Sequence, residues 1–219
     1  MEARKLAQMI DHTLLAPDAT LADVERLCAE AVELQVGAIC ISPSMLPLKK
    51  DALLGPIKVA VVVGFPSGAH SPETKAVEAK QACDFGADEI DMVVNLALVG
   101  VSDWKAVTSE VATVRAAISV DVILKVIIES ALWSDEQIVG VCTAAVLGGA
   151  DFVKTSTGFH KSGGASLAAV RLMRKTVGDS IGVKASGGIR SYADAIAMID
   201  AGANRIGASA SRAILAEAK

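Results

Sequence analysis

The sequence contains no run of lysine or arginine, and its formal net charge is −4 over 219 residues. Such a chain lacks the electrostatic footprint of a binder of nucleic acid or of an anionic membrane. Long apolar runs are missing too. "VAVVVGF" (59–65) and "VILKVII" (122–128) fall far short of the roughly 20 residues that a membrane-spanning helix needs. The opening segment "MEARKLAQMIDHTLLAP" (1–17) has neither an extended apolar stretch nor a clear cleavage site, so no secretory signal is read and a cytoplasmic location is expected. Cys28, Cys40, Cys83 and Cys142 form no C-x-x-C, and His12, His70 and His160 form neither H-E-x-x-H nor H-x-H. A disulfide framework and a metal centre are therefore both unexpected. No G-x-G-x-x-G appears, which counts against a doubly wound dinucleotide-binding sheet.

What is present is a large apolar fraction, 52% hydrophobic against 21% charged. That is enough to bury a substantial core in one domain over residues 1–219. Short β-branched runs alternate with longer amphipathic ones. The runs predict strands at 9–13, 37–42, 57–63, 88–94, 121–128, 151–155, 181–185 and 204–208. Helix starts are read at Thr20, at Ser71 with Pro72, at Ser102, and at Ser134 with Gln137 as a capping box. Each strand is expected to be followed by a helix. Four helix-to-strand joints look alike, at Gly37, Gly86, Gly149 and Gly202, where glycine suits a left-handed position closing a helix. Eight such units without a linker predict a closed (β/α)8 TIM barrel.

Four consecutive predicted strands, the fourth to the seventh, place an ionisable group inside an apolar run: Asp91, Lys125, Lys154 and Lys184. A buried ammonium is costly unless it is paired or loses its proton. Each lysine therefore reads either as a snorkelling stem or as an activated amine. If the strands are neighbours in chain order the four groups converge, with Asp91 and Lys154 in one level of the barrel and Lys125 and Lys184 in another. A free lysine is only about 0.04% neutral at pH 7. A second ammonium and burial both lower its pKa, and the freed amine can attack a carbonyl to form a Schiff base. A carboxylate such as Asp91 can then move protons. Glycine-rich segments follow the last two strands, "KASGGIR" (184–190) and "RIGASASR" (205–212), the position where barrels commonly bind phosphate.

In order along nearly the whole chain, "IDHTLL" (10–15), "VVGFPSGAHSPETKAVEAKQACDFGADEIDMVVN" (62–95), "LKVIIE" (124–129), "DFVKTSTGF" (151–159), "VKASGGIR" (183–190) and "RIGAS" (205–209) resemble deoxyribose-phosphate aldolase. The resemblance implies a TIM-barrel, class I aldolase with no metal or other cofactor. The reaction it implies is reversible cleavage of 2-deoxy-D-ribose 5-phosphate to acetaldehyde and D-glyceraldehyde 3-phosphate. It makes Lys154 the Schiff-base lysine, Lys184 the second lysine that depresses its pKa, and Asp91 an acid/base working with a water. Gly158, Gly187, Gly188, Gly207 and Ser209 would face the phosphate, and Cys40, Lys125 and Asp11 would lie near the pocket. The implied partners are phosphosugar and aldehyde substrates and a second copy of the chain in a homodimer, with no nucleic acid and no membrane. Phe159 and Ala210 depart from the pattern, because some family members carry a basic residue and a second serine there. Both departures bear on phosphate affinity and leave the proposed chemistry untouched. A cofactor-free phosphosugar isomerase or a noncatalytic sugar-phosphate binder would use the same barrel and loops, without need of a covalent amine.

Overall fold

The computed structural model describes residues 1–49 and 51–218. Eight parallel strands, β1 (Ile10–Leu14), β2 (Ala38–Ile41), β3 (Lys58–Val63), β4 (Glu89–Val93), β5 (Ile123–Ile127), β6 (Phe152–Lys154), β7 (Gly182–Ser186) and β8 (Arg205–Ala208), pair in chain order, and β8 closes on β1. β2 and β4 are buried along their whole length. This is why the strands read as continuous apolar runs, with one face toward the barrel axis and the other under a ring of helices.

That ring contains α2 (Leu21–Leu34), α3 (Pro72–Asp84), α5 (Trp104–Ala117), α6 (Asp135–Leu147), α7 (Leu167–Val177), α8 (Tyr192–Asp200) and α9 (Ser211–Ala216). The shorter α1 (Ala3–Ala7) and α4 (Leu96–Gly100) accompany them. Val107, Val111 and Val114 of α5 recur at helical spacing and are fully buried in the main core, each burial contributing about 1.5–3 kcal/mol. The Thr20 side chain caps α2 and Ser134 caps α6, both as reciprocal capping boxes, while Ser71 caps α3 ahead of Pro72.

Three local expectations are corrected. Ser102 does not cap α5. It sits in a tight turn at φ 56° after α4, and Asp103 accepts the Ala106 N–H at 3.0 Å instead. Gly37 does not carry the left-handed turn, which falls on Gln35 at φ 53°. The glycine is needed for close approach, because a Cβ there would lie 2.3 Å from the Gln8 carbonyl oxygen. Gly86, Gly149 and Gly202 do adopt positive φ, at 101°, 95° and 116°. Finally, no α-helix follows β2 among the described residues. Among the described residues that connection holds one 3-10 turn, Pro43–Met45, since Pro43, Pro47 and Pro56 leave no room for an uninterrupted helix.

The strand register sets the levels inside the barrel. Following the paired residues once around the circle returns a position eight residues from its start, the shear of this fold class. Side chains two residues further along on every second strand therefore share a level. The floor holds Ala38, Glu89, Phe152 and Arg205, and above it lie Asp11, Ala60, Lys125 and Lys184. The third level holds Cys40, Asp91, Lys154 and Gly207, and the mouth Thr13, Val62, Ile127 and Ser186. Asp91 and Lys154 thus share one level and Lys125 and Lys184 another, the pairing expected from the sequence.

Candidate active site

Asp91 is the hub of the two middle levels. Its Oδ2 accepts from Lys154 Nζ at 2.8 Å and from Lys184 Nζ at 2.7 Å, while Oδ1 accepts from Lys125 Nζ at 2.6 Å. Lys184 also donates to Asp11 Oδ2. Arg205 reaches up from the floor, donating to Asp11 Oδ1 at 2.8 Å and to Glu89 Oε1 at 3.2 Å. Lys125 Nζ lies 2.6 Å from Glu89 Oε2. All the carboxylates and lysines of this chain of contacts are buried, which strengthens every pairing and makes any unpaired charge expensive.

Two lysines that share one carboxylate oxygen cannot both keep their protons cheaply, and their surroundings decide between them. Lys184 has a second carboxylate, Asp11. Burial would lower its pKa, but Asp11 and Asp91 overcome that and hold it well above the usual lysine range. For Lys154 burial dominates, and with the Lys184 charge it outweighs the pull of Asp91, so its pKa is lowered. Lys125 is raised because Asp91, Asp11 and Glu89 together exceed the cost of its burial. Burial pushes Asp91 upward, yet the three lysine charges hold it well below the ordinary carboxylate range. Asp11 falls to about 2 in the same way, under Lys184, Lys125 and Arg205.

Above this cluster opens a cavity of about 470 Å3. Of the four barrel groups singled out in the sequence only Lys154 lines it, together with Gly158, Gly187, Gly188, Gly207 and Ser209. The loops after β6 and β7 are laced together. Thr155 Oγ1 donates to the Ser186 carbonyl at 3.1 Å and accepts the Ser186 N–H at 3.0 Å, and Ser186 Oγ donates to the Ser156 carbonyl at 2.7 Å. Gly158, Gly187 and Gly188 take φ of 82°, 86° and 84°, a left-handed conformation that a side chain would strain. Gly207 serves a different need: a Cβ there would sit 3.1 Å from Lys184 Cε and 2.9 Å from Ser186 Cβ.

Cys40, Lys125 and Asp11, expected near the pocket, lie beneath it and are fully buried. The Asp11 carboxylate oxygens are taken by Lys184 and Arg205. Burial pushes the Cys40 thiol up. His12 faces the opposite way, with Nδ1 2.9 Å from Ser211 Oγ and Nε2 3.2 Å from Glu30 Oε2. Trp133 Nε1 donates to the Ile128 carbonyl at 2.6 Å.

Several supporting residues escaped the sequence reading. Glu89 and Arg205 complete the interior charges from the floor. Arg190 lines the cavity wall. Glu129, buried at φ 52°, accepts from the Thr157 N–H at 3.2 Å and from Thr157 Oγ1 at 2.5 Å, pinning the loop beyond Lys154. Lys75 of α3 is fully buried, donating to Glu110 at 2.6 Å and to the carbonyls of Gly68 and Val93 at 2.7 and 2.8 Å. It ties the loop after β3 to the end of β4, two residues beyond Asp91.

A (β/α)8 barrel with a buried lysine opening onto a glycine-walled cavity at the C-terminal end of its strands is the framework of an aldolase of the DeoC/LacD family. The chain belongs to that family, whose model matches residues 5–217. It is 56% identical to deoxyribose-phosphate aldolase of Kocuria rhizophila, over 96% of this chain and 95% of the relative. To the enzyme of the same name from Corynebacterium diphtheriae it is 53% identical, over 97% and 96%. The solved deoxyribose phosphate aldolase of Aeropyrum pernix, described as a unique tetramer, superposes with a TM-score of 0.89 at 36% identity, over 98% of this chain and 91% of that one. Among the described residues no helix is long and apolar enough to cross a membrane.

Proposed function

We propose that this chain reversibly cleaves 2-deoxy-D-ribose 5-phosphate to acetaldehyde and D-glyceraldehyde 3-phosphate through a Schiff base on Lys154, residues 1–219 acting as one aldolase domain. The observation that carries this reading is the shared Asp91 Oδ2. Of the two amines on it, the one with a second carboxylate stays charged and the one facing the cavity is freed to react.

The neutral Lys154 amine attacks C1 of the open-chain sugar, and the carbinolamine loses water to give a protonated imine. The C3 hydroxyl gives up its proton and the C2–C3 bond breaks. C3 departs as the aldehyde carbon of glyceraldehyde 3-phosphate, while the bonding pair forms an enamine at C2. Protonation of C2 and addition of water release acetaldehyde and restore the amine. Asp91, kept ionised by Lys125 and Lys184, enters as a base working through a water. The cationic Lys184 stabilises negative charge as it develops. Backbone N–H groups around Gly158, Gly187, Gly188 and Ser209, with Arg190, receive the phosphate, and Gly207 leaves space for the Lys184 stem.

Incubation with 2-deoxyribose 5-phosphate is expected to yield acetaldehyde and glyceraldehyde 3-phosphate in equal amounts, at a rate unchanged by exhaustive chelation. Loss of turnover on chelation, restored by a divalent ion, would replace the covalent mechanism with a metal-dependent one. Phe159 stands half-exposed on the cavity wall, edge-on to Phe65 with ring centroids 5.2 Å apart. Phe159→Lys is expected to lower KM for the phosphorylated substrate about tenfold, the worth of one charge-assisted contact. Its KM for unphosphorylated 2-deoxyribose should stay within about twofold of wild type, since a phosphate contact does not touch that substrate. Equal changes for both sugars would place residue 159 away from the phosphate.

A further inference from the structure

The barrel interior around Lys154 holds an odd number of charges. Among the described residues its carboxylates are Asp11 on β1 and Glu89 and Asp91 on β4. Its cations are Lys125 on β5, Lys154 on β6, Lys184 on β7 and Arg205 on β8. The remaining titratable neighbour, Cys40 on β2, is kept neutral by burial, and His12 points outward to Glu30 and Ser211. With every group ionised, four positive charges face three negative ones in a barrel interior where the lysines and carboxylates are buried. Such an excess is unfavourable, and the release of one proton removes it.

Geometry decides which group gives up the proton. Lys125 has Asp91, Glu89 and Asp11 within 3.7 Å. Lys184 has Asp11 and Asp91, and Arg205, which stays protonated, has Asp11 and Glu89. Lys154 has only an oxygen that Lys184 already shares. The excess therefore settles on Lys154, and the residue that creates it stands farthest from the cavity. Without Arg205 the interior would balance with Lys154 fully protonated. Without Glu89 the excess would double.

We propose that Arg205 and Glu89, on the barrel floor and out of contact with the cavity, are positioning residues that govern whether the Lys154 amine is free to attack, acting through Asp11, Lys184, Lys125 and Asp91. Their effects have opposite signs, because one adds to the interior charge excess and the other subtracts from it. The inference rests on the reading of Lys154 as the Schiff-base lysine.

The test is the pH dependence of reductive labelling by acetaldehyde and cyanoborohydride, quantified on the peptide that carries Lys154, in wild type, Arg205→Met, Arg205→Lys and Glu89→Gln. The labelling midpoint is expected to move up by on the order of one pH unit in Arg205→Met and down by a similar amount in Glu89→Gln. One charge at about 10 Å has this effect at an effective dielectric constant of about 20. Arg205→Lys retains the charge and should stay near the wild-type midpoint. Loosened packing would lower labelling in both floor variants without moving the two midpoints in opposite directions. If Arg205→Met fails to fold, Glu89→Gln decides alone: a downward shift supports the coupling, and an unmoved midpoint overturns it. Wild-type labelling at Lys154 with both midpoints unmoved, or moved the same way, overturns the coupling and leaves the aldolase reading intact. Absence of wild-type label at Lys154 removes both.

Discussion

Lys184→Met is expected to move the acidic limb of kcat/KM upward by on the order of two pH units, given two charges a few ångströms apart on one carboxylate in a poorly polarisable interior. The sign follows from the shared oxygen. In the native site Lys154 and Lys184 both contact Asp91 Oδ2. The Lys154 pKa is lowered because burial and the Lys184 charge together outweigh Asp91. Removing Lys184 leaves Asp91 Oδ2 to Lys154 alone, with Lys125 still on Oδ1, so Lys154 keeps its proton to higher pH. The acidic limb reports that proton in the free enzyme and moves with it. At any pH below both midpoints the neutral fraction should fall about a hundredfold for a two-unit shift. The same change leaves Asp11 and Asp91 each short of a buried partner, and stability should drop by about 3–5 kcal/mol. The limb must therefore be measured where the variant is folded. Lys184→Arg keeps the charge and should hold the limb near its native position even if turnover slows. An unmoved limb in Lys184→Met would assign the depression of Lys154 to burial alone and make Lys184 a substrate contact.

The largest loss is expected for Lys154→Arg, with turnover of 2-deoxyribose 5-phosphate reduced on the order of 10^4-fold or more. A guanidinium can keep the contact with Asp91 but stays protonated and cannot attack a carbonyl. The loops of the cavity wall are held by their own bonds, from Thr155, Ser186 and Glu129, so binding of the substrate should survive the loss of chemistry. Melting temperature and equilibrium binding of the sugar phosphate check that the fold and pocket persist. A variant retaining more than about a tenth of native turnover would show that another group carries the covalent step.

The barrel was legible because its strands are buried on both faces. Runs such as "IKVAVVV" and "DVILKVII" have no polar alternation to confuse with a solvent-facing sheet. Lys154 and Lys184 stood out for the same reason, as ammonium groups in apolar company. Arg205, Glu89 and Asp11 are equally interior, but they stand at strand ends or in short strands, where a charged residue ordinarily marks solvent. Only the register, with its shear of eight, turns these side chains toward the axis. Lys75 and Glu110 fall on the buried stripes of α3 and α5, beside Ala76 and Ala79 and beside Val107 and Val111, but no pattern within either helix shows that the two pair across elements. Glu129 adopts a left-handed backbone that sequence patterns assign to glycine or asparagine. The connection after β2 shows the reverse failure. Its prolines were visible, but the regular alternation of the rest of the chain argued for a helix that they forbid.

The covalent role of Lys154 is tested most directly by incubating the protein with acetaldehyde and borohydride and weighing the products, first intact and then as peptides. A neutral amine at the cavity floor predicts one added ethyl group per chain, carried by the peptide that contains Lys154 and missing from Lys154→Arg. Label spread over exposed lysines, or label undiminished in Lys154→Arg, would contradict the account.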